Sequence, residues 1–144
     1  MRRSSGATVA VLANHLPTEG DTTMRYMMFI KHPSDYDPTA VPPALFGAMG
    51  EFVEEYAKKG VFIDGAGLQP LSKGTRVRLS RGKLEVRDGP FSEAKEVVGG
   101  YALCECATHE EAVDLATKFM ELHRIHWPEF EGESELRPLE EMPG

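Results

Sequence analysis

The chain is poor in basic residues, in cysteine and in long apolar runs. Sixteen Lys and Arg stand against 23 Asp and Glu, giving a formal net charge of −7. A nucleic-acid-binding surface needs clustered cations to neutralise phosphates, so this balance argues against nucleic acid as a partner. Only Arg76, Arg78, Arg81, Lys83 and Arg87 form a basic stretch. Their alternation with Val, Leu and other residues reads as the wet face of a hairpin. The two cysteines, Cys104 and Cys106, sit two apart in a strand-like run. They share a face of the strand and are poorly placed to bridge each other. They read as reduced thiols of an intracellular protein, and a C-x-C metal pair lacks further ligands nearby, so no metal and no cofactor are expected. No run approaches the length of a membrane span. Met1-Arg2-Arg3 and the apolar stretch 7–12 have the outline of a signal peptide. That stretch is short, is broken by Thr8 and lacks a small-residue cleavage site, so a cytoplasmic location is expected. Also missing are G-x-S-x-G, H-E-x-x-H, G-x-G-x-x-G and P-loop patterns.

What remains is the composition of one globular domain: 144 residues, 41% hydrophobic and 27% charged. Residues 1–23 are rich in Ser, Thr, Gly and Ala and carry little periodicity. They read as an N-terminal extension, with an extra edge strand over 8–12 as the alternative. The compact domain is placed at 24–141, opening on the apolar run Met24-Arg25-Tyr26-Met27-Met28-Phe29-Ile30. Residues 31–43 hold three prolines with Asp35 and Asp37 and read as a loop. Leu45, Met49, Phe52, Val53 and Tyr56 then fall on one helical stripe, with Pro43 suited to the first turn and Gly60 to the residue past the end. Val61-Phe62-Ile63 reads as a short strand, and 64–70 as a Gly-rich connection. Runs 75–79 and 83–87 alternate around Arg81-Gly82, a hairpin signal. Residues 97–107 hold another strand, in which Gly99-Gly100 permits a bulge or a close backbone approach. Thr108 and Glu111 form a capping box ahead of the stripe Ala112, Leu115, Ala116, Phe119 and Met120. Glu135-Leu136-Arg137 closes the list as a last strand.

The order β-α-β, hairpin, β-α-β is the split βαβ pattern of a ferredoxin-like α+β sandwich. Two helices cover one sheet face. Tyr26, Met28 and Ile30 alternate against Met27 and Phe29, leaving apolar residues on the other face as well. A homodimer packed sheet to sheet covers them at least cost.

Asp88-Gly89-Pro90-Phe91 is the most specific stretch. Gly89 precedes a proline and is pushed out of helical conformation, Pro90 ends strand pairing, and Phe91 can anchor the turn in the core. Asp88 is thereby presented as a fixed carboxylate, either a general base at the mouth of a pocket or an acceptor satisfied inside its own turn. Glu93 and Glu96, three apart, could join it in an oxygen cluster for a divalent cation, or begin a solvated helical turn. Lys95 could hold an anionic substrate or pair with Asp88. Gln69 could face a pocket beside the turn. His123 and His126 could share a helix face as ligands, but their place before Trp127-Pro128 reads as charge capping of a helix end. Trp127 and Phe130 read as cover for the sheet edge or dimer seam.

These residues carry a resemblance. Asp88-Gly89-Pro90-Phe91 with Glu93, Lys95-Glu96 and Gly99-Gly100, preceded by Gly65-x-Gly67-Leu68-Gln69-Pro70 and followed by Glu135-Leu136-Arg137-Pro138, resembles the DGPF-type branch of the YCII-related proteins. The resemblance covers about 24–139. It implies a dimeric ferredoxin-like domain of undefined biochemical role. In the wider group a His–Asp pair in a pocket is taken as the active site. Asp88 matches the Asp, but the helical segment 44–59 has no His, and the nearest is His32 in the preceding loop. The resemblance also implies an association with extracytoplasmic-function sigma factors. The expected site therefore comprises Asp88 as the catalytic group, with His32, Gln69, Phe91, Glu93, Lys95 and Glu96 binding a small molecule. A regulatory module acting on a protein partner is the alternative.

Overall fold

In the computed structural model, residues 23–140 are described. Residues 1–22 of the expected extension 1–23, its edge strand at 8–12 and residue 141 lie outside them. Eight principal elements follow in order: β1 (Met24–Pro33), α1 (Pro43–Lys58), β2 (Phe62–Gly67), β3 (Thr75–Ser80), β4 (Lys83–Asp88), β5 (Glu96–Cys106), α2 (His109–His126) and β6 (Glu133–Pro138). Short 3-10 turns lie at Pro38–Ala40 and Leu71–Lys73.

The main sheet has the order β2-β5-β1-β6 with every neighbouring pair antiparallel. This order is compatible with the ferredoxin-like pattern expected from the sequence. β3 and β4 form a separate two-stranded sheet. Both helices occupy one face. Tyr26 and Met28 of β1 and Cys104 and Cys106 of β5 pack there against Ala112, Leu115 and Ala116 of α2, and Phe52 and Tyr56 of α1 close over them. Met27 pairs with Leu103 and Phe29 with Tyr101 on the opposite face, which no helix of the described residues covers.

The helices begin and end where the sequence places them. Pro43 occupies the first turn of α1, where its missing N–H costs nothing, and Gly60 follows its end at φ +76°. Thr108 Oγ1 accepts from Glu111 N at 3.0 Å, and Glu111 Oε1 accepts from Ala107 N at 2.8 Å, one residue before the cap. At the hairpin tip Arg81 and Gly82 have φ 53° and 80°, the left-handed pair that lets a two-residue turn follow strand twist.

Two readings change. β2 does not stop at Ile63: it runs through Gly65 to Gly67, a stretch expected to be a connection. A Cβ at Gly65 would lie 2.7 Å from the Tyr101 carbonyl oxygen, so the glycine lets β2 approach β5 closely. Glu96 belongs to β5 rather than to a helical turn with Glu93.

Candidate functional site

A cleft of about 800 Å³ lies between the sheet and the two helices. The turn around Leu71 and the Pro90-Phe91 half of the Asp88–Phe91 turn form its rim. The volume falls in the range of small-molecule sites. Its lining includes no Asp, Glu, Lys or Arg.

One wall is a continuous run of eight rings. His32, at the end of β1, stacks on Tyr36 with ring centroids 3.9 Å apart and planes 21° from parallel. Tyr36 meets Trp127 and Phe130 at 5.8 and 6.4 Å. Phe130 meets His123 at 4.7 Å, and His123 meets Phe119 at 5.2 Å. Phe119 then meets Phe52 at 5.4 Å, and Phe52 meets Tyr56 at 4.5 Å. Offset and edge-on ring contacts at these spacings each add a small attraction beyond burial, so the wall is self-supporting.

Two imidazoles stand among the polar side chains of the lining, which also include Ser34, Gln69 and Ser72. His32 Nδ1 lies 2.8 Å from the Pro33 carbonyl oxygen, and His123 Nδ1 lies 3.1 Å from that of Phe119. A carbonyl only accepts, so in both rings Nδ1 carries the hydrogen and Nε2 is left as the acceptor. His123 is 6% exposed. Burial holds its pKa below the ordinary 6.5, against the opposing effect of the Phe119 bond, so it favours the neutral form.

His32 is seated by a β-bulge. The β1–β5 register shifts between Ile30 and Lys31, leaving Gly99 unpaired between Gly100 and Val98. A Cβ at Gly99 would come within 2.5 Å of His32 Cδ2 and 2.8 Å of Nε2. The bulge and the close approach expected at Gly99-Gly100 are thus one device, which gives the imidazole room against the sheet.

The structure divides the residues expected at the site. His32, Gln69 and Phe91 line the cleft, whereas Asp88, Glu93, Lys95 and Glu96 lie outside its lining. Asp88 is exposed and accepts a bond from Thr75 Oγ1 at 2.7 Å, across the base of the hairpin. Glu93 accepts from Arg76 Nη1 at 3.0 Å and also from Arg87. Its pKa is lowered by a bond from its own backbone N–H and by Arg87. Phe91 is buried, with the Arg76 and Arg87 guanidinium carbons 3.9 and 5.1 Å from its ring centroid. Lys95 contributes its backbone carbonyl to Ser34 N at 3.1 Å. Glu96 pairs with Lys31 at 3.4 Å. Gly89 admits a tight approach to the neighbouring turn, where a Cβ would lie 2.7 Å from the Leu71 carbonyl oxygen.

Three residues differ from their expected roles. His123 lies in the cleft wall and favours its neutral form, which excludes a charged helix cap as its main role. Trp127 and Phe130 line the cleft rather than the sheet edge. The available signal was the helical spacing Ala112, Leu115, Phe119 and His123, which puts the imidazole on the buried stripe. Tyr36 had no such signal, because it reaches the wall from a loop. Cys104 and Cys106 are buried free thiols whose pKa values burial raises to about 11, so they stay protonated at neutral pH. Among the described residues no three His, Cys, Asp or Glu side chains converge as a metal site, and no helix is long and apolar enough to cross a membrane.

Comparison with known proteins agrees with this architecture. The YCII-related domain matches residues 24–120. An uncharacterised protein of Rhizobium meliloti (strain 1021) is 34% identical over 85 residues, which span 59% of this chain and 64% of that protein. The chain belongs to the YCII-related domain family.

Proposed function

We propose that this YCII-related protein, of the branch marked by the Asp88-Gly89-Pro90-Phe91 turn, binds a small uncharged aromatic molecule in the cleft. His32 acts as its acid–base group. The observation that carries this reading is a cleft of about 800 Å³ walled by eight rings and lined by no charged side chain. An anion or cation entering it would lose hydration without gaining a Lys, Arg, Asp or Glu partner, a cost of several kcal/mol in a poorly solvated site. An uncharged ring system loses little hydration and gains stacking area. A hydroxyl or similar donor on it would meet the free Nε2 of His32, which can accept a proton because Nδ1 is committed to the Pro33 carbonyl. Gln69 lies at the cleft as a further polar group.

On this reading Asp88 holds the base of the hairpin through Thr75, and the turn serves the cleft through Pro90 and Phe91. Substitution separates that role from a catalytic one. With 1-naphthol as probe in a calorimetric titration, His32→Gln weakens binding about tenfold or more, while Asp88→Asn changes it less than about twofold. The reverse ranking would return the working group to Asp88.

Three further parts of the reading have support of their own. The match beginning at residue 24 supports a domain over 24–141. The uncovered apolar pairs Met27–Leu103 and Phe29–Tyr101 support a homodimer formed through that sheet face. The two buried thiols suit a cytoplasmic protein. A regulatory module for an extracytoplasmic-function sigma factor is the rival reading. It gives the cleft no ligand, so the same titration tests it: no heat with any aromatic probe would favour it.

A further inference from the structure

The β3–β4 hairpin carries a bare apolar face. Val77 pairs directly with Val86, and Leu79 with Leu84, so the four side chains form one patch. They are 66–73% exposed. The opposite face carries Arg76, Arg78, Glu85 and Arg87, with Glu93 tied to Arg76 and Arg87 and Phe91 beneath those two guanidiniums. Gly89 N donates to Gly74 O at 2.9 Å and closes the base. The hairpin is therefore mounted by its polar face and its base, and its apolar face is turned away from its own chain. A lone two-stranded ribbon is marginal in water, and a patch of branched side chains on one is costly to leave wet.

Charge identifies what covers it. The hairpin, residues 75–88, holds five cations and two acids, a net +3, in a chain of net −7, so the remainder carries −10. On the uncovered sheet face beside Met27, Phe29 and Leu103, Lys31 is shared by Glu96, Glu133 and Glu135, while Arg137 pairs with Glu135 and Arg25 with Glu105. Two hairpins stacked on each other would set +3 against +3. A hairpin laid on that sheet face of a second copy sets +3 against a face where Asp64, Glu96, Glu105, Glu133 and Glu135 outnumber Arg25, Lys31 and Arg137.

Area points the same way. Each of the four side chains offers roughly 100 Å², given about 1.5–3 kcal/mol for full burial at about 25 cal/mol per Å². Hairpin-on-hairpin stacking would then bury about 800 Å² in total, the level of casual contacts. Two hairpins, each on the other copy's sheet face, bury about 1,600 Å², the standard size of a specific interface.

We infer that the hairpin is a dimerisation arm: its Val77, Leu79, Leu84 and Val86 face docks on the outer sheet face of a second copy, reciprocally about a two-fold axis. This rests on the homodimer reading above and assigns the arm that makes it.

The test needs no probe other than the protein itself: sedimentation equilibrium of the full chain, with hydrogen exchange at two concentrations. The expected result is a dimer whose dissociation constant rises with salt, because opposite charges meet. Leu84→Glu raises that constant about tenfold or more. In the wild type, amides of the hairpin and of β1 exchange more slowly as concentration rises, a readout that needs no variant to fold. A monomer at all concentrations overturns both the arm and the homodimer. A dimer with hairpin exchange independent of concentration overturns the arm alone. A dimer tightened by salt overturns docking on the acidic body.

Discussion

The cleft and the Arg–Glu cluster at the hairpin base lie on two sides of one turn, and their chemistry is opposite. Pro90 and Phe91 face a space lined by no charged side chain, with His123 buried and favouring its neutral form. On the other side, Glu93 sits between Arg76 and Arg87, all three largely exposed. Both regions hold polar groups with defined partners, but water decides what those partners are worth. Exposed ion pairs are screened and contribute at most about 1 kcal/mol. In the cleft, a lost methylene or a displaced ring is not compensated by solvent. On the proposed reading, the conspicuous acidic motif is a support and the apolar cleft is the site.

The largest effect should come from the cleft. Leu45 is 1% exposed and lines it, so Leu45→Ala should cost about 2–5 kcal/mol of stability, measured by denaturant unfolding. A loss below about 1 kcal/mol would mean that the wall relaxes into the cleft. Next, Gly99→Ala should cost about 1–3 kcal/mol, because the added methyl meets the His32 ring. It should also reduce 1-naphthol binding, as His32→Gln does. Binding preserved in Gly99→Ala would break the link between the bulge and the imidazole.

A smaller effect is expected from pH. His123 has a folded pKa below its ordinary 6.5, so below that value the unfolded chain binds a proton that the folded chain does not. Its contribution to stability is therefore present above pH 6.5 and declines as pH falls below it toward the folded value. Melting temperature should drop more steeply on acidification in the wild type than in His123→Gln. Equal slopes would show that His123 is solvated. The smallest effect belongs to the charged side: Glu93→Gln should leave the melting temperature nearly unchanged, because solvent screens the exposed pair, and leave cleft binding unchanged. A large loss there would erase the contrast between the two regions.

Local rules carried the fold further than the site. The helix stripes, the Thr108–Glu111 box and the Arg81-Gly82 turn each express a short-range constraint, and each appears where the sequence places it. Gly65 and Gly67 read as breakers that end β2 early, whereas at Gly65 the lack of a side chain is what permits the pairing with β5. The cleft draws on β1, the loop at Tyr36, both helices and the segment after α2, so no local window contains it. Of the expected site residues, His32, Gln69 and Phe91 could be placed together only by the fold. Asp88 was legible as a fixed carboxylate, but whether its turn shows the cleft its acid or its apolar half depends on the Thr75 contact, 13 residues away in the chain.

Selection of uncharged aromatic ligands by the proposed site is read out by a single comparison of two probes. The wild-type protein would be titrated calorimetrically with 1-naphthol and with 1-naphthoate, which share a ring system and differ in charge. The expected result is that 1-naphthol binds at one site per chain and at least about tenfold more tightly than 1-naphthoate. Equal or tighter binding of 1-naphthoate would contradict it.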